Sequence, residues 1–133
     1  MSTAVKERLV FEATCAPRRV MDIFAVKWLS MVLHALDRWP GGRIRTGELQ
    51  RALPGISKKM LVQTLRDVER RGLVLRHVHT VVPPKVEYEL TPLGKTFAQA
   101  IEMLYLWGEE HHEALDEMEL NKARNQMVPD LDL

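Results

Sequence analysis

The chain has 133 residues, 46% of them hydrophobic, and a formal net charge of +1, enough for one core of ordinary size with terminal extensions. No apolar run approaches the ~20 residues of a bilayer-crossing helix, and the N-terminus lacks an apolar segment followed by a small-residue cleavage site, so a cytoplasmic protein with no membrane partner is expected. The single cysteine, Cys15, excludes an intrachain disulfide and a thiolate-rich zinc site.

In chain order, residues 1–14 are mixed in character and read as an N-terminal arm. Pro17 then precedes an apolar stretch that predicts one continuous helix over 18–36. Its apolar residues, Ile23, Phe24, Val26, Trp28, Leu29, Met31, Val32, Leu33 and Leu36, cover nearly every azimuth, which calls for burial on several sides. Trp39-Pro40-Gly41-Gly42 ends that helix, and Arg43-Ile44-Arg45 has room only for a minimal strand. Thr46 is expected to cap a short helix over 47–53.

Pro54-Gly55-Ile56 breaks the chain again and leaves the Ser57 hydroxyl placed to accept from an orphan amide of a following helix. At roughly 100° per residue, Leu61, Leu65 and Val68 fall on one side of that helix and Lys59, Gln63, Arg66 and Arg70 on the other. Gly72 supplies a left-handed C-terminal cap. Residues 74–82 and 86–90 alternate as strands do, with Val86, Tyr88 and Leu90 on one face and Glu87 and Glu89 on the other. Pro83-Pro84 cannot donate ladder hydrogen bonds and belongs at a hairpin tip, from which Lys85 is expected to project. Thr91-Pro92 starts a long helix over 93–112 whose stripe of Phe97, Ile101, Leu104 and Trp107 wants a partner. Residues 121–133 are polar, contain Pro129 and are expected to be partly disordered.

A short helix, a turn, a second helix with a cationic outer stripe and then a hairpin make a winged helix-turn-helix: mainly α, with a small β-wing. The near-neutral total charge hides an asymmetry. Residues 43–76 hold nine basic against three acidic side chains, a balance of +6, whereas residues 97–133 hold nine acids against Lys122 and Arg124, a balance of −7. Clustered cations matter for duplex binding because neutralising phosphates releases condensed counterions. Double-stranded DNA is therefore the expected partner. Lys58, Lys59, Gln63 and Arg66 are candidates for base edges in the major groove. Ser57, Arg43, Arg45 and Thr46 are candidates for phosphates, and Lys85 for a neighbouring minor groove or its backbone. Arg70 and Arg71 sit where cations favour the helix dipole and need do nothing else.

Several runs carry a family resemblance: Cys15 and Pro17, Met21-Asp22-Ile23, Lys27-Trp28, Gly47-Glu48-Leu49, Pro54-Gly55-Ile56-Ser57-Lys58-Lys59-Met60-Leu61, Leu65-Arg66-Asp67-Val68-Glu69, Arg71-Gly72-Leu73-Val74 and Pro84-Lys85-Val86-Glu87-Tyr88-Glu89-Leu90-Thr91-Pro92-Leu93-Gly94. Together they resemble the HxlR family of bacterial transcription regulators, over residues 15–107. The resemblance implies a sequence-specific, homodimeric DNA-binding regulator whose N- and C-terminal helices build the dimer and whose two reading helices meet a palindromic operator. With the composition of the flanks, the chain is expected to divide into an arm at 1–14, the HxlR-type domain with its dimerisation helices at 15–112, and an acidic extension at 113–133. Two departures stand out: Ala16 separates Cys15 from Pro17, and Ala25-Val26 replaces a glycine pair before Lys27-Trp28. Some relatives sense oxidants or electrophiles through the N-terminal cysteine. Cys15, with Arg18 and Arg19 downstream to favour its thiolate, is the redox candidate, its partner being the Cys15 of a second subunit or a small thiol.

Other features point to bland roles. His111 and His112 diverge by about 100° on a helix and do not readily converge on one ion, and His77 and His79 share a strand face without an evident third ligand. No metal or cofactor is expected. Trp28, Trp39 and Trp107 suit ordinary core, with a small-molecule effector pocket at a dimer interface as the alternative. No nucleophile-base pair, phosphate cradle or converging carboxylates suggest an enzyme. The rival reading is a winged helix that docks another protein and binds no DNA.

Overall fold

The computed structural model describes residues 12–127; most of the expected arm, 1–11, and the end of the acidic extension, 128–133, lie outside them. The chain divides into two compact units, Met1–Ala98 and Gln99–Leu133. In order, the described elements are α1 (Ala16–Phe24), α2 (Lys27–Arg38), β1 (Arg43–Arg45), α3 (Thr46–Ala52), α4 (Lys58–Arg70), β2 (Val74–His79), β3 (Lys85–Leu90), α5 (Pro92–Glu110) and α6 (His112–Met127).

The continuous helix expected over 18–36 is instead two helices, with Val26 in extended conformation between them. Neither Ala25 nor Val26 is a helix breaker, so the reason lies in packing. The buried residues of α2 are Leu29, Val32, Leu33 and Leu36, one stripe at i, i+3, i+4 and i+7. A straight extension would carry that stripe back through Ala25, Asp22 and Arg18, placing a carboxylate and a guanidinium against the core. The break frees α1 from that register. None of its residues is fully buried, although Phe24 stacks on Phe97 with ring centroids 5.0 Å apart.

The core of the first unit lies where α2, α3 and α4 meet the sheet. Ile44, Leu49, Leu53, Ile56, Leu61, Leu65, Val68, Leu73, Val74 and Leu90 join the α2 stripe there. The sheet is antiparallel in the order β1-β3-β2. Its register pairs Ile44 and Arg76 with Tyr88, and Arg45 and His77 with Glu87. Because side chains alternate, Ile44, Val74, Arg76, Val78, Val86, Tyr88 and Leu90 share one face. Arg43, Arg45, Leu75, His77, His79, Lys85, Glu87 and Glu89 share the other. β2 stops at His79, short of the expected 82, and residues 80–84 form the tip with both prolines in it. Thr46, expected as a cap, is the first residue of α3; the cap is Arg45, whose backbone amide donates to Glu48 Oε1 at 3.1 Å.

In the second unit α5 stops at Glu110 and α6 begins at His112, so residues 121–127 are helical where partial disorder is expected from composition. The α6 side chains are almost all exposed. Local pairing supports such a helix: Glu113 sits in the first turn, Arg124 in the last, and His112 Nδ1 lies 3.6 Å from Asp116 Oδ2 one turn on. At the junction His111 stacks on Trp107, centroids 4.4 Å apart.

One hydroxyl ties the end of the sheet to the start of α5. Thr91 Oγ1 accepts from the Gly94 amide at 3.0 Å and donates to the Gly72 carbonyl at 2.7 Å, while the Thr91 amide donates to the Leu73 carbonyl at 3.0 Å. Gly94 thereby lies directly against Leu73, where an added methyl would collide with the Leu73 carbonyl oxygen and crowd Leu90. We predict that Gly94→Ala destabilises the protein by ~2 kcal/mol or more, since overpacking against backbone has little room to relax. Equilibrium urea unfolding is the measurement, and an unchanged midpoint would refute the predicted contact.

Candidate nucleic-acid interface

The second helix of the helix-turn-helix is α4, the candidate reading helix, and its boundaries follow from its sequence. Ser57 caps it, the hydroxyl accepting from the Met60 amide at 3.0 Å. Gly55, at φ +95°, makes the turn from α3 without a Cβ penalty. At the other end Gly72 adopts φ +77°, its amide donating to the Glu69 carbonyl and the Leu73 amide to the Val68 carbonyl. Leu61, Thr64, Leu65 and Val68 are buried. Thr64, the one polar member of that stripe, returns its hydroxyl to the Met60 carbonyl at 2.7 Å and so costs little to bury.

With one face fixed inward, the other is decided. Lys58, Lys59, Gln63, Arg66 and Arg70 are all exposed, so the helix presents an open cationic row beginning in its first turn. Arg70 stays near the C-terminal end, as the dipole favours. Arg71 is bound to Asp67 at 3.1 Å across one turn, which leaves it as part of the helix surface.

The phosphate candidates distribute differently. Ser57 uses its hydroxyl on its own helix. Arg45 is exposed, and with Thr46 and Gly47 it lines a concavity that residues 81–86 of the wing complete. Arg43 is partly committed, Nε donating to Glu89 at 3.3 Å. Lys85 does not project from the tip: it opens β3, half-buried, with Nζ 3.6 Å from Glu87 Oε1. The residue that does project is Val82, fully exposed. Cys15 is half-buried at the cap of α1 and makes no side-chain capping bond there.

Two pairs cross the outer face of the wing: His79 Nε2 lies 2.8 Å from Glu87 Oε1 and His77 Nε2 3.2 Å from Glu89 Oε1. For Glu89 the His77 hydrogen bond outweighs partial desolvation, and Arg43 adds to it, so the carboxyl sits below its ordinary 4.5. For Glu87 desolvation is the largest single influence and pushes upward, but His79 and Lys85 together hold the carboxyl below 4.5 as well. Sequence reading placed His77 and His79 on one face but did not pair them. The cross-strand register would have done so, since it depends only on the tip length.

Sequence reasoning also missed Arg76 and Tyr88. They are direct register partners, and with Val62, Arg66 and Glu69 of α4 they line a cleft of about 450 Å³ between the reading helix and the wing. Period-two alternation was the available signal, because it puts Arg76 on the face of Tyr88, toward α4.

A family model for the HxlR-like helix-turn-helix matches residues 23–116. The chain belongs to this family. The helix-turn-helix-type transcriptional regulator YkvN of Bacillus subtilis is 41% identical over 95 residues, which is 71% of this chain and 78% of YkvN. Among solved structures, a MarR-family transcriptional regulator from Porphyromonas gingivalis W83 is 40% identical, with a TM-score of 0.70 over 76% of this chain and 96% of that one. The redox regulator HypR in its reduced form is 32% identical, with a TM-score of 0.69 over 77% of this chain and 99% of HypR. This HxlR-family chain is thus a winged helix-turn-helix transcriptional regulator.

A carboxylate with a depressed pKa adds stability above its unfolded-state value and loses it as pH falls through the folded-state value. The stability advantage of the wild type over a Glu87→Gln/Glu89→Gln variant should therefore be full at neutral pH and shrink as pH falls below 4.5. Thermal unfolding of both proteins across that range is the check; a pH-independent difference would contradict the assignment of the two pairs.

Proposed function

We propose that this regulator binds duplex DNA sequence-specifically, as a homodimer on a palindromic operator. The observation that carries the reading is the open row of Lys58, Lys59, Gln63 and Arg66 on a helix whose opposite face is locked in the core. In the major groove Lys or Arg can donate to guanine O6 and N7, and Gln can pair with adenine N6 and N7. Ser57, Arg43, Arg45 and Thr46 stand nearer the phosphates, and Lys85 contributes charge beside the tip of the wing. A module that only docks another protein has no need for such a row.

The homodimer is supported by apolar surface left open within each unit. In the first, Val20 and Met21 of α1 are exposed; in the second, Met103 and Leu104 are 72% and 58% exposed, with Trp107, Met118 and Leu120 also open. Clusters of this kind mark association surfaces. A second copy is the occupant that gives two reading helices at once and so accounts for a two-fold site.

Full-length protein should bind random duplex with steep salt dependence, and a selected site with two chains per duplex. Gln63→Ala should relax base preference, costing roughly 1–3 kcal/mol on the selected site alone, whereas Lys85→Ala should weaken both sequences alike. Binding that is absent, or insensitive to salt, would sink the reading in favour of protein docking. Equal losses for Gln63→Ala on both duplexes would remove Gln63 from the reading set.

A second layer, regulation through oxidation of Cys15, is supported by the likeness to the redox regulator HypR and by the partial exposure of the thiol. With one thiol per chain, diamide can take two electrons and two protons only from two chains, or from one chain and a small thiol. Oxidation should yield a cross-linked dimer or a mixed disulfide and change DNA affinity, both lost in Cys15→Ser. Modification that leaves affinity unchanged would rule Cys15 out as a sensor.

A further inference from the structure

Between α4 and the wing lies the cleft bounded by Val62, Arg66 and Glu69 on the helix and by Arg76 and Tyr88 on the strands. Its chemistry is that of an anion site held closed by a counterion. Arg76 Nε is 3.6 Å from Glu69 Oε1, with both side chains about half exposed. The Tyr88 phenol lines the cleft with Arg76, Arg66 and Glu69 and feels the charge of all three. Burial pushes that phenol above its ordinary pKa, and it remains a proton donor at neutral pH. The cleft therefore offers a guanidinium and a hydroxyl donor, with a second guanidinium at the rim, against one acidic side chain.

Position gives the anion its identity. Arg66 belongs both to the exposed row on α4 and to the lining of the cleft, so the backbone bordering a groove read along α4 is the anion nearest the cleft, and phosphate is the only anionic group that DNA carries. We propose that this cleft takes a single DNA backbone phosphate, bound by Arg76 and the Tyr88 hydroxyl, with Glu69 as the gate that holds Arg76 until the phosphate displaces it. The proposal rests on the DNA-binding reading above and adds two residues and a function for Glu69. An exposed ion pair of this length contributes little to stability, so Arg76 can exchange a carboxylate for a phosphate at little cost. Its planar fork can meet two phosphate oxygens at once. With the phosphate bound, Glu69 becomes a like charge beside it, so the pair also weakens binding to any backbone that does not sit deeply in the cleft.

The experiment uses full-length protein and a fluorescent random-sequence duplex titrated at several salt concentrations. Wild-type binding establishes the parent reading, and its absence would be a failure of that reading rather than of the cleft. Given binding, Arg76→Gln should lose roughly tenfold in affinity and flatten the log–log salt slope by about 0.9, the signature of one lost phosphate contact. Tyr88→Phe should lose roughly fivefold with little change in slope, since it removes a neutral donor. Glu69→Gln should bind several-fold more tightly, a gain that damaged folding could not produce. A matched set of duplexes, each with one neutral methylphosphonate linkage in the selected site, locates the phosphate: one linkage should weaken the wild type and leave Arg76→Gln indifferent. Wild-type affinity for all three variants, or tighter binding absent in Glu69→Gln, would overturn the proposal.

Discussion

Everything at this interface depends on how one helix is held. Leu61, Thr64, Leu65 and Val68 of α4 are sealed into the core that α2 supplies with Leu29, Val32, Leu33 and Leu36. Burying such side chains is worth roughly 1.5–3 kcal/mol each, against the few tenths typical of an exposed ion pair. The apolar stripe therefore decides the rotation of the helix, and the cations have no choice but to face outward. Ser57 and Gly72 then fix its ends, so rotation and length are both set without any contribution from the polar row. That separation leaves the outward residues free to vary without cost to the fold.

The wing repeats the arrangement in a sheet. Its inner face gives Ile44, Val74 and Leu90 to the core, and its outer face is a lattice of polar pairs, His77 with Glu89, His79 with Glu87, and Arg43 with Glu89. Cross-strand pairs of this sort stabilise a register. Arg43 beside Glu89 and Lys85 beside Glu87 also offset part of the carboxylate charge on this face. Lys85 belongs to this lattice through Glu87, which explains why it opens the strand instead of extending from the tip.

Much of the fold was legible in residue order because it is written in local signals. Ser57, Gly72 and Thr91-Pro92 each mark a boundary through the chemistry of a single residue, and the strands announced themselves by alternation. The break at Ala25-Val26 had no such signal; it follows from the clash of Asp22 and Arg18 with a stripe defined several turns later. Helix α6 was missed for the opposite reason, since a helix whose side chains are almost all exposed buries no apolar stripe. At the candidate site the exposed row on α4 was legible from one helical wheel. Arg76, Tyr88 and the histidine-glutamate pairs were not, because each needs the register of two strands that only the tip length sets.

The Thr91 side chain gives the molecule a mechanical property. Its oxygen receives one first-turn amide of α5, that of Gly94, and donates to Gly72, the residue that terminates α4. The tail of the reading helix and the head of the next helix are thus pinned to a common rivet, with Gly94 flush against Leu73 and no slack beneath it. A change at that single side chain therefore reaches two helices at once.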